Sequence, residues 1–235
     1  MRKALITGAS SGLGRDLARV LSGRGYDLIL VARRRDRLEA LARTLPTKAH
    51  IICADLSDAG RCKALYDETR GERVDLLINN AGISHIGLLS DMSTAQWRQV
   101  MQTNLDAVFF TCRAAIPHMV RRQKGRILNI SSVWGEVGAS CEAAYSASKG
   151  AVNSLTRALA KELGPSHISV NTISLGVIDT AMNQCFNEEE RQALAEEIPF
   201  GRFASPGEAA AFCCQIAESP EYLTGQILRF DGGWI

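Results

Sequence analysis

Thr7-Gly8-Ala9-Ser10-Ser11-Gly12-Leu13-Gly14 follows a short apolar run at 3–7 and opens a segment of helical periodicity at 12–23. The three glycines let the backbone turn sharply and come close to a ligand. The helix that follows aims its unpaired N–H groups and positive dipole end into the same space. Strand, glycine turn and helix in this order form the first half of a parallel crossover unit, shaped to cradle a pyrophosphate. A tight turn with a purely structural role is the bland alternative, and the rest of the chain decides between them.

The alternation continues to the far end. Apolar runs at 27–32, 50–54, 74–79, 125–131, 168–174 and 226–230 read as strands, and 34–45, 59–69, 97–123, 143–163 and 206–217 read as helices. This predicts an α/β fold: a doubly wound parallel sheet of about seven strands with helices on both faces. With no internal repeat or low-complexity linker, residues 1–235 read as a single domain. A segment at 179–199 interrupts the alternation. It carries Glu188-Glu189-Glu190 and reads equally as a lid or as a solvated surface helix.

Composition narrows the function. The chain has 235 residues, 46% of them hydrophobic, and a formal net charge of +2, which makes no case for nucleic acid or an acidic membrane. No apolar run reaches the ~18 residues of a spanning helix. The basic start Met1-Arg2-Lys3 leads into an apolar stretch that breaks at Thr7-Gly8, too soon for a secretion signal. Seven cysteines without a C-x-x-C spacing read as small buried residues of a reducing, cytoplasmic compartment. Cys141, four residues before Tyr145, stands apart from them. Four histidines show no metal-ligand spacing, so no metal is expected.

Tyr145 and Lys149 are spaced to share one helix face, one turn apart. A free phenol ionises near pH ~10, and a neighbouring ammonium is expected to bring it towards neutrality. Ser132, thirteen residues earlier, supplies a hydroxyl that could orient a carbonyl oxygen. Tyr-x-x-x-Lys by itself is common in helices, where it means only a half-buried ring beside a solvated amine. At the end of the second strand, Val31-Ala32-Arg33-Arg34 offers no carboxylate to a ribose 2′-hydroxyl. Arg33, with Arg34 behind it, offers a planar fork of donors to a 2′-phosphate, which favours NADP(H) over NAD(H). Ser11 counts the other way, because a basic residue there would have strengthened the preference.

In order, the chain shows Thr7-Gly8-x-x-x-Gly12-x-Gly14, Asp55-Leu56, Asn79-Asn80-Ala81-Gly82, Asn104, Ser132 and Tyr145-x-x-x-Lys149. This set resembles the short-chain dehydrogenase/reductase family of single-domain, Rossmann-type enzymes over essentially the whole chain. The resemblance implies a cofactor site at Gly8, Ser10, Ser11, Gly12, Leu13, Gly14, Arg33, Arg34, Asp55, Leu56, Asn80, Ala81, Gly82, Tyr145, Lys149, Gly176, Ile178 and Thr180. It implies that Tyr145 is general acid or base, that Lys149 lowers its pKa and holds the nicotinamide ribose, and that Ser132 positions the substrate oxygen. It implies that Asn104 helps hold a proton-relaying water, a role compatible with capping a helix kink. The family usually has proline where Leu175 stands, and its loss is expected to loosen the turn into the lid.

Substrate contacts are expected from Ser84, Ser132, Trp134, Cys141, Tyr145 and Met182, with the lid extending to Phe186; Trp134 could equally be packing. The run 131–142 resembles 3-oxoacyl-carrier-protein reductase-like enzymes and, among them, elongation factor P aminopentanone reductases. The implied substrate is a ketone, either a small molecule or one linked to a carrier or protein. A hydroxysteroid or sugar remains open, as does a non-catalytic regulator that senses NADP. By the same resemblance a homotetramer or homodimer is expected, with Ala107, Ala114, Ala115, Ala151 and Leu155 facing a neighbour. The apolar tail at Trp234 is expected to seek a partner subunit or to fold back on its own.

Overall fold

The computed structural model describes residues 2–183 and 187–235. Phe186, assigned above to the lid, and Cys185 lie outside the described residues.

Seven parallel strands form one sheet in the order β3-β2-β1-β4-β5-β6-β7. They are β1 Arg2–Thr7, β2 Tyr26–Ala32, β3 Ala49–Cys53, β4 Leu76–Asn79, β5 Gly125–Ser132, β6 Ile168–Leu175 and β7 Ile227–Phe230. The helices are α1 Gly12–Gly23, α2 Arg35–Ala42, α3 Ala59–Thr69, α4 Thr94–Met101, α5 Ala107–Arg122, the one-turn α6 Trp134–Val137, α7 Ala143–Leu163, α8 Glu188–Glu197 and α9 Pro206–Ala217. The central strands bury both faces, so β1, β2 and β4 are mostly apolar, whereas β5 and β6 also bury polar residues such as Asn129, Asn171 and Thr172. Along β1, Ala4 and Ile6 enter the layer under α1, α2 and α9, while Leu5 enters the layer under α3, α5 and α7. β2 alternates in the same way, with Leu28 and Leu30 on one side and Ile29 and Val31 on the other. This is the doubly wound architecture that the alternation predicts.

Strand order reverses beside β1, which lies between β2 and β4. Thr7 ties the two loops together there: its hydroxyl accepts the Asn80 and Ala81 N–H groups, each at 3.0 Å, and its carbonyl accepts the Asn80 side-chain amide at 2.9 Å. In open α/β sheets a crevice forms at this switch point.

Three expectations are corrected. The helix expected at 97–123 is two helices joined by a π-helical turn, Gln102–Asp106, which contains Asn104. Such a turn inserts one residue and re-aims the side chains around it. β4 starts at Leu76 rather than at 74; just before it the Asp75 carboxylate accepts the Lys3 N–H at 2.8 Å and the Arg122 guanidinium at 2.6 Å. Ala107, Ala114 and Ala115 do not face outwards; they are buried in the chain's own core, and half-buried Leu155 packs on the same layer. On α4 and α5 the exposed large hydrophobic residues are Trp97 and Phe109.

Of the cysteines described, Cys62, Cys112, Cys213 and Cys214 are buried as small apolar residues, whereas Cys53 and Cys141 are exposed; all six are free. Among the described residues no helix is long and apolar enough to cross a membrane, and no group of three His, Cys, Asp or Glu residues could hold a metal.

Candidate active site

A cavity of about 890 Å³ opens along the carboxyl ends of the strands. One end is built by the glycine turn. Gly8 (φ +70°) and Gly12 (φ +51°) hold left-handed conformations that L side chains rarely adopt. Gly14 is required for a different reason: a Cβ there would lie 2.2 Å from the Gly8 carbonyl oxygen. The turn and helix are therefore pressed together, with their open side to the cavity. The Ser11 side chain does not cap α1, and the first turn of α1 contains no acidic residue. Free N–H groups and the positive dipole end of α1 thus remain available to an anion.

Across this turn Arg34 donates to Ser11 Oγ at 2.8 Å and to Ser10 Oγ at 3.1 Å. Arg33 instead turns towards Asp55, 4.0 Å away. Arg34 is therefore the arginine that lies on the glycine turn, with Arg33 beside Asp55. Asp55 accepts the Ser57 N–H at 2.9 Å and the Ser57 hydroxyl at 2.7 Å. Gly8, Ser10, Ser11, Gly12, Leu13, Gly14, Arg33, Arg34, Asp55, Leu56, Asn80, Ala81, Gly82, Gly176, Ile178 and Thr180 all line the cavity. The glycine cradle, the uncapped helix end and the two guanidinium groups fit a dinucleotide with two or three phosphates.

The other end is built on β5 and α7. Ser132 ends β5 and accepts the Trp134 N–H at 3.2 Å. Its hydroxyl lies near enough to the Tyr145 phenol to lower that group's pKa. α7 packs close because residue 135 is glycine: a Cβ there would meet Lys149 at 2.8 Å. Lys149 is buried, and its ammonium donates to the Ile130 carbonyl at 2.8 Å. Asn104 lies behind the wall. Its amide spans the Ile83 N–H and C=O, each at 2.9 Å, and donates to Ser148 Oγ at 3.0 Å. It thus joins the loop after β4 to α7. Next to it Thr103 presents to the cavity wall a buried hydroxyl that has no partner among the described residues.

The titration behaviour departs from expectation. Burial pushes the Tyr145 phenol up to about 12; the nearby Ser132 hydroxyl pulls it down and the Glu142 carboxylate pushes it further up. Burial brings Lys149 down to about 8. The ammonium is directed at Ile130, so loss of hydration outweighs its field on the phenol.

Leu175, where the family usually has proline, sits inside the sheet. It is the buried last residue of β6, and its carbonyl accepts the Val133 N–H at 3.0 Å. The start of the 179–199 segment is tied down by Asp179 N–H on the Ala204 carbonyl at 2.9 Å and Ala204 N–H on the Val177 carbonyl at 3.1 Å. Ser84, Trp134 and Met182 line the substrate end, and Cys141 does not. Cys141 is exposed and takes φ +62°, strained for a side-chain-bearing residue. Its contribution is the turn that brings Glu142, the next residue, to the cavity wall.

Glu142 is one of the residues the sequence did not single out. It lines the cavity, and burial raises its carboxyl pKa, with the Trp134 side chain nearby pulling it down. Glu190 and Glu197 of α8 and Trp234 of the tail also line it. The fall of Glu142 three residues before Tyr145, just outside the helix, is the only signal that pointed to it.

The profile of the family described as short chain dehydrogenase matches residues 2–191. An uncharacterized oxidoreductase of Bacillus subtilis (strain 168) is 39% identical over 239 residues, covering 99% of this chain and 98% of that protein. A 3-oxoacyl-[acyl-carrier-protein] reductase of Vibrio cholerae is 35% identical, covering 98% and 96%. A solved structure described as a putative NAD(P) dependent gluconate 5-dehydrogenase from Beutenbergia cavernae, with bound NADP at low occupancy, superposes with a TM-score of 0.93. It is 33% identical and covers 99% of this chain and 96% of that one.

Proposed function

The chain belongs to the short-chain dehydrogenase family and is an oxidoreductase resembling 3-oxoacyl-carrier-protein reductases; from that membership we propose that it is an NADPH-dependent ketone reductase, acting as one domain over its full length. The observation that carries this reading is the Ser132–Tyr145–Lys149 constellation at one end of a cavity whose other end is a phosphate cradle.

NADPH, when bound, supplies the hydride. The uncapped end of α1 and the Gly8–Gly14 turn would hold its pyrophosphate, and Arg34 with Arg33 its 2′-phosphate. Ser132 donates a hydrogen bond to the substrate carbonyl oxygen and fixes it beside the phenol. Tyr145, with a pKa near 12, is fully protonated at neutral pH and is the proton donor to that oxygen as it becomes an alkoxide. This protonation state suits reduction better than oxidation, which needs the phenolate. Lys149, titrating near 8, replaces the proton and is placed to hold the nicotinamide ribose. Asn104 holds the loop after β4 and α7 in register around it, and a relay water can lie at the π turn.

A second reading concerns the ketone, and charge favours it. The carboxylates Glu142, Glu190 and Glu197 line the substrate end, whereas the lining cations Arg33 and Arg34 lie at the cofactor end and Lys149 is turned to Ile130. α8 adds Glu188, Glu189 and Glu196 outside. Such a mouth repels the phosphate of a carrier-linked thioester and attracts an ammonium. A ketone bearing an amine, as on a modified lysine, fits this better than a carrier-linked acyl chain. We place the enzyme in the cytoplasm as a homo-oligomer, with the exposed aromatic residues Trp97 and Phe109 at a subunit contact. NADPH oxidation with a panel of neutral and amine-bearing ketones tests the reading. Turnover supports it, and tight NADPH binding without turnover of any ketone points to a sensing regulator.

A further inference from the structure

The tail turns back on its own subunit. Gly232 (φ +68°) and Gly233 (φ +82°) make the turn, and the Asp231 carboxylate accepts the N–H groups of Gly233 at 3.0 Å and Ile235 at 3.3 Å. Trp234 thereby reaches Trp134 across the cavity mouth, with ring centroids 4.7 Å apart and planes tilted by 58°. Both indoles line the substrate end, one from α6 and one from the chain's last two residues.

Arg229 of β7 holds this arrangement from outside. Its guanidinium grips the Glu136 carboxylate of α6 through Nε and Nη2 at 3.0–3.2 Å, and its Nη1 donates to the Ile235 carbonyl at 3.0 Å. An ion pair this close to solvent adds little stability. Its planar, two-point geometry sets direction instead: it fixes α6, and so Trp134, relative to the tail. The tail also braces the lid, because the Phe200 N–H donates to the Gly232 carbonyl at 3.2 Å.

We propose that Trp234 is a specificity-determining residue: with Trp134 it forms an aromatic clamp on the part of the substrate beyond the ketone, and the Arg229–Glu136 pair latches the clamp in position. The inference rests on the ketone-reductase reading. A substrate that ends at the ketone stays at Ser132 and Tyr145 and never meets the clamp. One with a chain several atoms long runs along the exposed edges of the paired indoles and gains contact area there.

Two ketones test this: diacetyl, which is short, and the acetoacetyl thioester of N-acetylcysteamine, which is long. Trp234→Ala is expected to raise KM for the thioester roughly tenfold while kcat, NADPH affinity and the kinetics on diacetyl stay unchanged. Trp234→Phe should keep most of the wild-type KM. Arg229→Glu should raise KM in the same direction, and Arg229→Glu combined with Glu136→Arg should restore it. Equal losses on both ketones, or no change on either, would overturn the clamp. Calorimetric binding of the thioester to the NADPH complex of Tyr145→Phe, with and without Trp234→Ala, reads the clamp without turnover. If the wild-type protein reduced neither ketone, the reductase reading would fall, and this binding arm alone would decide the clamp: weaker binding without Trp234 supports it, equal binding removes it.

Discussion

Lys149 holds its ammonium 5.6 Å from the centre of the Tyr145 ring and donates it to the Ile130 carbonyl at 2.8 Å. The pair therefore shares a helix face without a direct bond, and each group titrates according to its own burial. Lys149 titrates near 8 in the folded protein against 10.5 in its ordinary state. Between those values the unfolded chain holds a proton that the folded one has released. Stability therefore rises with pH across this window, and the cost of burying the charge is felt in full below it. Compared with Lys149→Met, the wild-type protein should gain on the order of 3 kcal/mol through this window. Urea unfolding of both proteins at the two ends checks it; a pH-independent difference would show that the lysine titrates normally.

Gly14 faces the Gly8 carbonyl at a distance that leaves no room for a methyl group. Gly14→Ala must push α1 away from β1, at an overpacking cost of about 1–3 kcal/mol. NADPH affinity should collapse together with stability. Tight NADPH binding in this variant would mean that the turn is not the phosphate cradle.

Arg34 lies over Ser10 and Ser11, where a 2′-phosphate would sit. Arg34→Ala should weaken NADPH by about 10- to 100-fold, the loss expected for a hydrogen bond to a charged group, and barely alter NADH. Arg33→Ala should act in the same direction. Equal weakening of both cofactors would place the arginines elsewhere, on the shared part of the dinucleotide.

Glu142 bears the charge argument for the substrate. Glu142→Gln keeps the size of the side chain beside Trp134 and removes the charge. It should lower kcat/KM for an amine-bearing ketone by roughly tenfold, the loss typical of a charge-assisted contact, and leave a neutral ketone of the same size unaffected. A loss shared equally by both ketones would make Glu142 a packing residue.

What could be read in the sequence was local. The Gly8–Gly14 turn needs only backbone conformation and chain order, and the Tyr145–Lys149 spacing needs only a helix. What could not be read depends on how distant segments meet. Glu142 enters the cavity because Cys141 takes a left-handed conformation, and nothing in the residue type announces that. Trp234 meets Trp134 through a turn at the very end of the chain. The Tyr145 pKa was expected to fall because an ammonium lies one turn away; it rises because burial, a tertiary property, is the larger effect. Asn104 was expected inside one long helix, and the π turn that holds it follows from no visible periodicity.

Tyr145→Phe tests the central claim most directly. The substitution keeps the ring and removes only the hydroxyl that faces Ser132. With an accepted ketone, NADPH oxidation should fall by ~10²–10⁴, the usual cost of losing a general acid, while NADPH binding by fluorescence titration remains at the wild-type level. Turnover within a few-fold of wild type would show that the proton reaches the substrate oxygen from another group, and the account of this site would not stand.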